Sequence, residues 1–321
     1  MTLPKLLRSA ATAVAFAMSL SLAAPARADD AKTLRVGTFT LFGVASTFEQ
    51  AGHDKVGDIR FEIIPFTSGV VGLIAAINAG EIDVAEMGEV GPVVAQSADV
   101  EAQIIAATEP WRIGEALIVA GDSPIRSIED LKGKKISYSR ATNGQWVVNK
   151  ALQKAGIDIS EVESVFLPAG TNTLSVLQAG QIDVAVAIDA TLSAYEAQGA
   201  RRLVNAGDVG VDNSLFFLAS RNAIENKKEA IGAFVKQLGN HLAWANENQE
   251  KHAGFVAELL GLDPEVTLAV ERNRPKKLQP IRPELIPSNQ AIADELFRQK
   301  VIEKAIKVDS SFNYDFNEFI P

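Results

Sequence analysis

Ala79-Gly80-Glu81-Ile82-Asp83-Val84-Ala85 returns one hundred residues later as Ala179-Gly180-Gln181-Ile182-Asp183-Val184-Ala185. Each copy follows an apolar stretch with helical spacing, Val70 to Ile77 and Leu174 to Leu177, and leads into a short apolar strand. Further out, Phe61-Glu62-Ile63-Ile64-Pro65 matches Val165-Phe166-Leu167-Pro168 in kind, and Leu34-Arg35-Val36-Gly37-Thr38 matches Lys135-Ile136-Ser137-Tyr138-Ser139. Each half therefore reads strand, helix, strand, helix, strand. Short β runs alternating with helical stretches indicate βαβ units and a mostly parallel sheet. The fold expected is α/β, with two duplicated βαβαβ lobes.

Two further β-rich runs, Glu115 to Ala120 and Asn213 to Ser220, flank the second half and predict a two-strand hinge; neither has the composition of a flexible tether. Beyond Ser220 the pattern is helical over Lys227 to Glu247, Gln249 to Leu260, Pro264 to Arg272 and Asn289 to Lys300, before a tail from Val308 to Phe316. The organisation expected is lobe 1 over 29–118, lobe 2 over 119–220, and C-terminal helices over 221–321 packing mainly on lobe 1.

Composition narrows the function. The 321 residues include no cysteine, which excludes disulfides, Cys-ligated metals and a thiol nucleophile. Residues 1–28 carry a basic start (Lys5, Arg8), an apolar run from Ser9 to Ala24 and the small-x-small ending Ala26-Arg27-Ala28, the pattern of an export signal peptide. Its apolar run is shorter than the roughly 20 residues a spanning helix needs. The whole chain has 31 Lys+Arg against 40 Asp+Glu, a net charge of −9; without residues 1–28, which hold three basic and no acidic side chains, 28 basic groups face 40 acidic ones, giving −12. Such acidity argues against a nucleic-acid partner. An exported, periplasmic protein follows, and a monomer is expected.

In open parallel α/β sheets, ligands bind beyond the carboxyl ends of the strands, where helix N-termini offer free N–H groups. The turns expected there are Thr38 to Gly43 (with Thr40, Phe42 and Gly43), Thr67-Ser68-Gly69, Gly88 to Pro92 (with Glu89), Arg140 to Gly144 (with Thr142 and Asn143) and Ala169 to Thr173 (with Thr171). Helix capping accounts for Ser, Thr and Asn at any single turn; duplication would aim the whole set into one inter-lobe cleft. Cationic candidates are Arg140, Arg112 and Arg274, because a guanidinium matches a sulfonate, carboxylate or phosphate. Phe42, Trp111 and Trp146 are aromatic candidates; for Trp146, facing the cleft and packing on the sheet remain equal. Asp189 and Glu89 are acidic candidates, Glu89 suited to a ligand amine or hydroxyl. No catalytic residue is assigned: His53, His241 and His252 lie away from the expected turns, and no metal, nucleotide or hydrolase motif occurs. No cofactor is expected.

These residues resemble the periplasmic binding proteins of ABC importers for aliphatic sulfonates, taurine and nitrate. The resemblance covers nearly the whole chain after residue 28. It rests on Ala79 to Asp83 with Gly88 to Pro92, Ser127 to Lys135, Leu152 to Ile157, Gly180 to Asp183, and Gln290 through Asp294 to Phe297. It implies the two-lobed type II periplasmic binding protein fold, capture of a small organic anion, and delivery to a membrane permease with its separate ATPase. The sulfonate binders' strand with two Trp and an Asp-Pro turn here reads Ala185-Val186-Ala187-Ile188-Asp189-Ala190, keeping the Asp but neither Trp nor Pro. The alternative is an enzyme of the same fold acting on a thiamine- or menaquinone-precursor-like molecule.

Overall fold

In the computed structural model, which describes residues 32–39, 43–168 and 170–321, the repeated heptapeptide closes one helix and opens one strand in each half. The expected export signal, Thr40 and Phe42 lie outside the described residues. After the helix Gly69–Asn78, Gly80 takes φ 71°; after the helix Thr173–Gln178, Gly180 takes φ 68°. That left-handed conformation turns the next N–H back on the helix: Glu81 N donates to Ala76 O at 2.9 Å, and Gln181 N to Val176 O at 3.1 Å. A side chain would be strained there, and this explains the glycine in both copies. Ile82 and Ile182 are buried, anchoring the turn on the core. Asp83 and Asp183 then clamp the first strand of their halves. Arg35 N donates to Asp83 Oδ2 and Lys135 N to Asp183 Oδ2, both at 2.8 Å.

The strands are β1 Thr33–Phe39, β2 Lys55–Val56, β3 Ile59–Phe66, β4 Val84–Gly88, β5 Ala102–Thr108, β6 Glu115–Ala120, β7 Lys135–Ser137, β8 Glu163–Val165, β9 Val184–Ile188, β10 Ala200–Asn205, β11 Leu215–Ser220 and β12 Leu278–Gln279. The first sheet runs β12-β5-β11-β4-β1-β3-β2, the second β10-β6-β9-β7-β8. Within each, three strands are parallel (β3-β1-β4 and β8-β7-β9) and the next is antiparallel, β11 against β4 and β6 against β9. That antiparallel strand is the one that has just crossed from the other sheet. The two halves thus share one topology.

The crossings differ from expectation. All of Glu115–Ala120 lies in the second sheet and all of Leu215–Ser220 in the first, so the chain changes sheet within 109–114 and 206–214, rather than at 118 and 220. Neither crossing segment is itself a strand. Trp111-Arg112-Ile113-Gly114 makes a turn and Gly207–Val209 a short 3-10 helix. The apolar strands on either side supplied the periodic signal, and the turn residues between them did not.

The C-terminal helices form close to their expected bounds: Lys228–Glu247, Gln249–Leu260, Pro264–Glu271 and Ile286–Arg298. Phe234, Val235, Leu238 and Leu242 of the longest helix pack with Leu34, Val36, Phe61 and Phe217 of the first sheet. Pro264–Glu271 departs from the expected docking, because its Val270 meets Ala190 of lobe 2 and Trp111 of the crossing in a separate apolar cluster.

Candidate functional site

The six parallel strands end against one cavity. Phe39, Phe66 and Gly88 close β1, β3 and β4; Ser137 and Ile188 close β7 and β9, and Phe166 follows β8 directly. All of them line a cavity of about 820 Å³ between the sheets. Strands of one parallel sheet expose their carboxyl ends on one edge, and duplication faces two such edges toward each other. The antiparallel strands enter at the same edges, so their first residues, Glu115 of β6 and Leu215 of β11, also line the cavity.

Two long helices begin at this wall. Gly69–Asn78 has no side-chain cap, and Gly69 lines the cavity beside Thr67. Asn143–Ala155 likewise has none, since the hydroxyl of Thr142 donates instead to Ser139 O at 2.8 Å. Uncapped N–H groups with the helix dipole behind them suit an anion. Arg140 stands next to the second helix, its guanidinium 5.5 Å from the centre of the Phe166 ring, and has no salt bridge among the described residues. Arg140 and Glu115 are the charged residues on the cavity wall among the described residues; apolar Phe39, Phe66, Val70, Phe166, Val186 and Ile188 make much of the remainder.

Of the residues expected from sequence, Thr67, Gly69, Arg140, Thr142, Asn143 and Thr171 line the cavity together. Asn143 also reaches across the cleft. Its Oδ1 accepts from Val90 N at 3.1 Å, at the start of the lobe 1 helix Val90–Ser97, and its amide donates to Asn213 Oδ1 at 3.2 Å. Asn143 packs so closely on Gly88 that a Cβ there would sit 2.6 Å from Oδ1.

Other candidates stand elsewhere. Arg112, 61% exposed at its side chain, pairs with Asp212 at 2.8 Å and is not on the cavity wall. Trp146 is buried in the apolar core, which decides between its two readings in favour of packing. Gly43 and Ser68 lie off the wall. The close approach of Gly43 is to Thr38, Phe39 and Glu86, where a Cβ would clash. Trp111 lies under the guanidinium of Arg274, 5.3 Å from its ring centre. Arg274 is itself buried and bonds to Asp189 Oδ2 at 2.7 Å, so this third cation and Asp189 hold the lobes' junction rather than the cavity. Burial lifts the Asp189 carboxyl to about 6 despite Arg274.

Glu89 is buried beside Ser214 and off the wall; burial, reinforced by Asp212, raises its pKa to about 7. Glu86 is buried off the wall, accepting from Thr38 Oγ1 and Val44 N, both at 2.6 Å, and burial raises its pKa too.

Sequence reasoning missed Glu115. It stands in an apolar run as the first residue of β6, and its position at the cavity follows from the crossing, which the alternation did not locate. It also missed the chain that joins the three histidines. His53 Nδ1 meets His241 Nδ1 at 2.8 Å, Thr47 Oγ1 bridges His241 and His252 at 3.0 and 2.9 Å, and His252 Nδ1 reaches Glu271 at 2.7 Å. Burial drives the His241 pKa well below its ordinary value, so this chain is neutral at its centre, and none of its residues lines the cavity. No group of three or more His, Cys, Asp or Glu placed to hold a metal occurs among the described residues.

Two α/β lobes enclosing a mixed cavity, on whose wall one guanidinium stands without a salt bridge among the described residues, define a class of ligand-binding protein. Residues 58–252 match the NMT1/THI5-like family, and the chain belongs to it. It is 24% identical over 300 residues to the putative aliphatic sulfonates-binding protein of Escherichia coli K12, covering 92% of this chain and 93% of the relative. The alkanesulfonate-binding protein SsuA from Xanthomonas axonopodis pv. citri, solved with MOPS bound, superposes with a TM-score of 0.80 at 24% identity, covering 88% of this chain and 98% of that one. The desulfurization enzyme DszB has the same fold at a TM-score of 0.68 and 15% identity, covering 89% and 98%. The fold is that of the periplasmic binding proteins. No helix of the described residues is long and apolar enough to cross a membrane.

Proposed function

We propose that the inter-lobe cavity captures an organic sulfonate and that the protein delivers it, in the periplasm, to the permease of an ABC importer driven by a separate ATPase. The observation that carries this reading is the cavity wall: Arg140 and two uncapped helix N-termini beside the apolar surface of Phe39, Phe66, Val70, Phe166 and Ile188. A sulfonate head needs charged hydrogen bonds and its organic tail needs apolar contact. The names of the sulfonate-binding relatives support the ligand class. The cavity of about 820 Å³ has room for an alkyl chain longer than that of taurine.

An enzyme reading on the same fold is set against the absence of cysteine anywhere in the chain and the placement of all three histidines off the cavity wall. Thermal unfolding with a ligand panel tests the proposal, because a ligand that binds the native state raises the melting temperature. Alkanesulfonates should raise it in a concentration-dependent way. If alkanesulfonates, taurine, nitrate and biphenyl-2-sulfinate all leave the melting temperature in place, the sulfonate reading is wrong. Conversion of a bound compound by the purified protein would favour the enzyme instead.

A further inference from the structure

Glu115 is the outlier of the cavity wall. It is 3% exposed, its Oε2 has no hydrogen-bond partner, and among the described residues no cation pairs with it. A buried ionised carboxylate without partners is costly, so the group must stay neutral or have a ligand to answer it. Its surroundings favour an anion. Oε1 lies 3.3 Å from where a Cβ on Gly144 would be, placing the carboxyl against the second residue of the helix Asn143–Ala155, whose N-terminus repels cations.

The other lobe supplies a control. Glu115 opens β6 opposite Ile188, and Leu215 opens β11 opposite Gly88, so the two residues hold equivalent places in the duplicated topology. Both line the cavity, yet the first lobe has leucine there. The fold does not require a carboxyl at this place. Building on the sulfonate reading, we propose that Glu115 is a specificity-determining residue which, as a neutral carboxylic acid, donates a hydrogen bond to the captured sulfonate.

A sulfonate is fully ionised and carries no proton to donate, so only the protonated carboxyl can bond it; the ionised form would repel it. Burial pushes the Glu115 pKa up to about 8, and the carboxyl of Glu89 adds to the shift. The charged groups around it are Glu89 from lobe 1, with Asp212 and Arg112 behind, and Arg140 on the same wall; the β9 residues facing it, Val186 to Ile188, are apolar. An anion bound beside the protonated acid raises its pKa further. Capture above pH 8 therefore takes up a proton, and affinity declines with rising pH.

The test is calorimetric titration of the purified protein with 1-butanesulfonate between pH 5.5 and 9.5, in pairs of buffers with different ionisation enthalpies. The dissociation constant should be level below about pH 7 and rise up to about tenfold per pH unit above about pH 8, with approaching one proton taken up per sulfonate near pH 9. Glu115→Gln, whose amide donates at every pH, should stay within several-fold of the wild type at pH 6.5 and lose both the slope and the proton uptake. Glu89→Gln should keep the slope but begin it at lower pH, because a negative neighbour is gone. Glu115→Leu, matching Leu215, should fold and bind roughly tenfold or more weakly at pH 6.5.

A wild-type affinity that is flat with pH, without proton uptake, overturns the donor role while leaving sulfonate capture standing. Tighter binding of 3-aminopropanesulfonate than of 1-butanesulfonate, strengthening as pH rises through 8, overturns it as well, since the carboxylate would then be meeting an ammonium. Failure of 1-butanesulfonate to bind at any pH removes the sulfonate reading and this role together.

Discussion

The two copies of the Gly-x-Ile-Asp turn have the same backbone but not the same surroundings. Asp183 of lobe 2 bonds the Lys135 N–H and is half-buried. Asp83 of lobe 1 bonds the Arg35 N–H and, in addition, the Arg35 guanidinium at 2.9 and 3.1 Å and the Lys227 ammonium at 3.0 Å. Lys227 is buried, immediately before the long helix that covers the first sheet. The same motif thus closes a strand in one lobe and, in the other, also fastens the C-terminal helices to the sheet. One hundred residues apart, the ends of β4 and β9 diverge in the same way: Gly88 admits Asn143 from across the cleft, whereas Ile188 fills its own wall. Lobe 1 carries the C-terminal helices, and lobe 2 carries the charged residues of the cavity wall, Arg140 and Glu115, together with Asn143.

The largest effect should come from separating the two aspartates. Asp83→Ala takes the carboxylate away from two cations, one of them buried, and should cost about 3–5 kcal/mol in denaturant unfolding. Asp183→Ala removes one backbone hydrogen bond and should cost about 1 kcal/mol. Equal losses would erase the distinction. The pH dependence has a definite sign. Burial opposes ionisation of Asp83, but the bonds from Arg35 and Lys227 outweigh it and hold its pKa below the ordinary carboxylate value. Its contribution is therefore present above the unfolded-state pKa and is lost as pH falls through the folded one. Asp83→Asn should lose stability relative to wild type at pH 7 and approach it in acid.

A smaller effect is expected at the cleft. Gly88→Ala puts a methyl group against Asn143, and overpacking of this kind costs about 1–3 kcal/mol. The cost falls on the state in which the lobes meet. Sulfonate affinity should drop about 5- to 100-fold, while stability of the unliganded protein changes less. Unchanged affinity would show that the Asn143 contact is no part of capture.

Much of this was legible because the repeat has a physical cause at each position. A left-handed glycine, a buried isoleucine and a strand-clamping aspartate recur together, so they placed both sheets and the six strand ends facing the cavity. The cleft was legible to the same extent. Thr67, Arg140, Thr142 and Thr171 lie at turns that the strand–helix alternation locates, and they line the cavity. Illegible were the relations between lobes. The crossings occur at turns without periodicity, so the place of Glu115 on the wall was hidden. Arg112 and Arg274 resemble Arg140 in sequence, yet one is exposed beside Asp212 and the other is buried with Asp189. Which arginine is free depends on partners brought from about one hundred positions away, and no local pattern records that.

Calorimetric titration of the wild type, Arg140→Ala and Arg112→Ala with 1-butanesulfonate at pH 6.5 tests the central claim most directly. One sulfonate should bind per chain, weakened by about 1.5–3 kcal/mol in Arg140→Ala and left within about twofold in Arg112→Ala, since an exposed ion pair contributes little. No binding by the wild type, or an Arg140→Ala protein that binds as well as the wild type, would contradict capture of a sulfonate in this cleft.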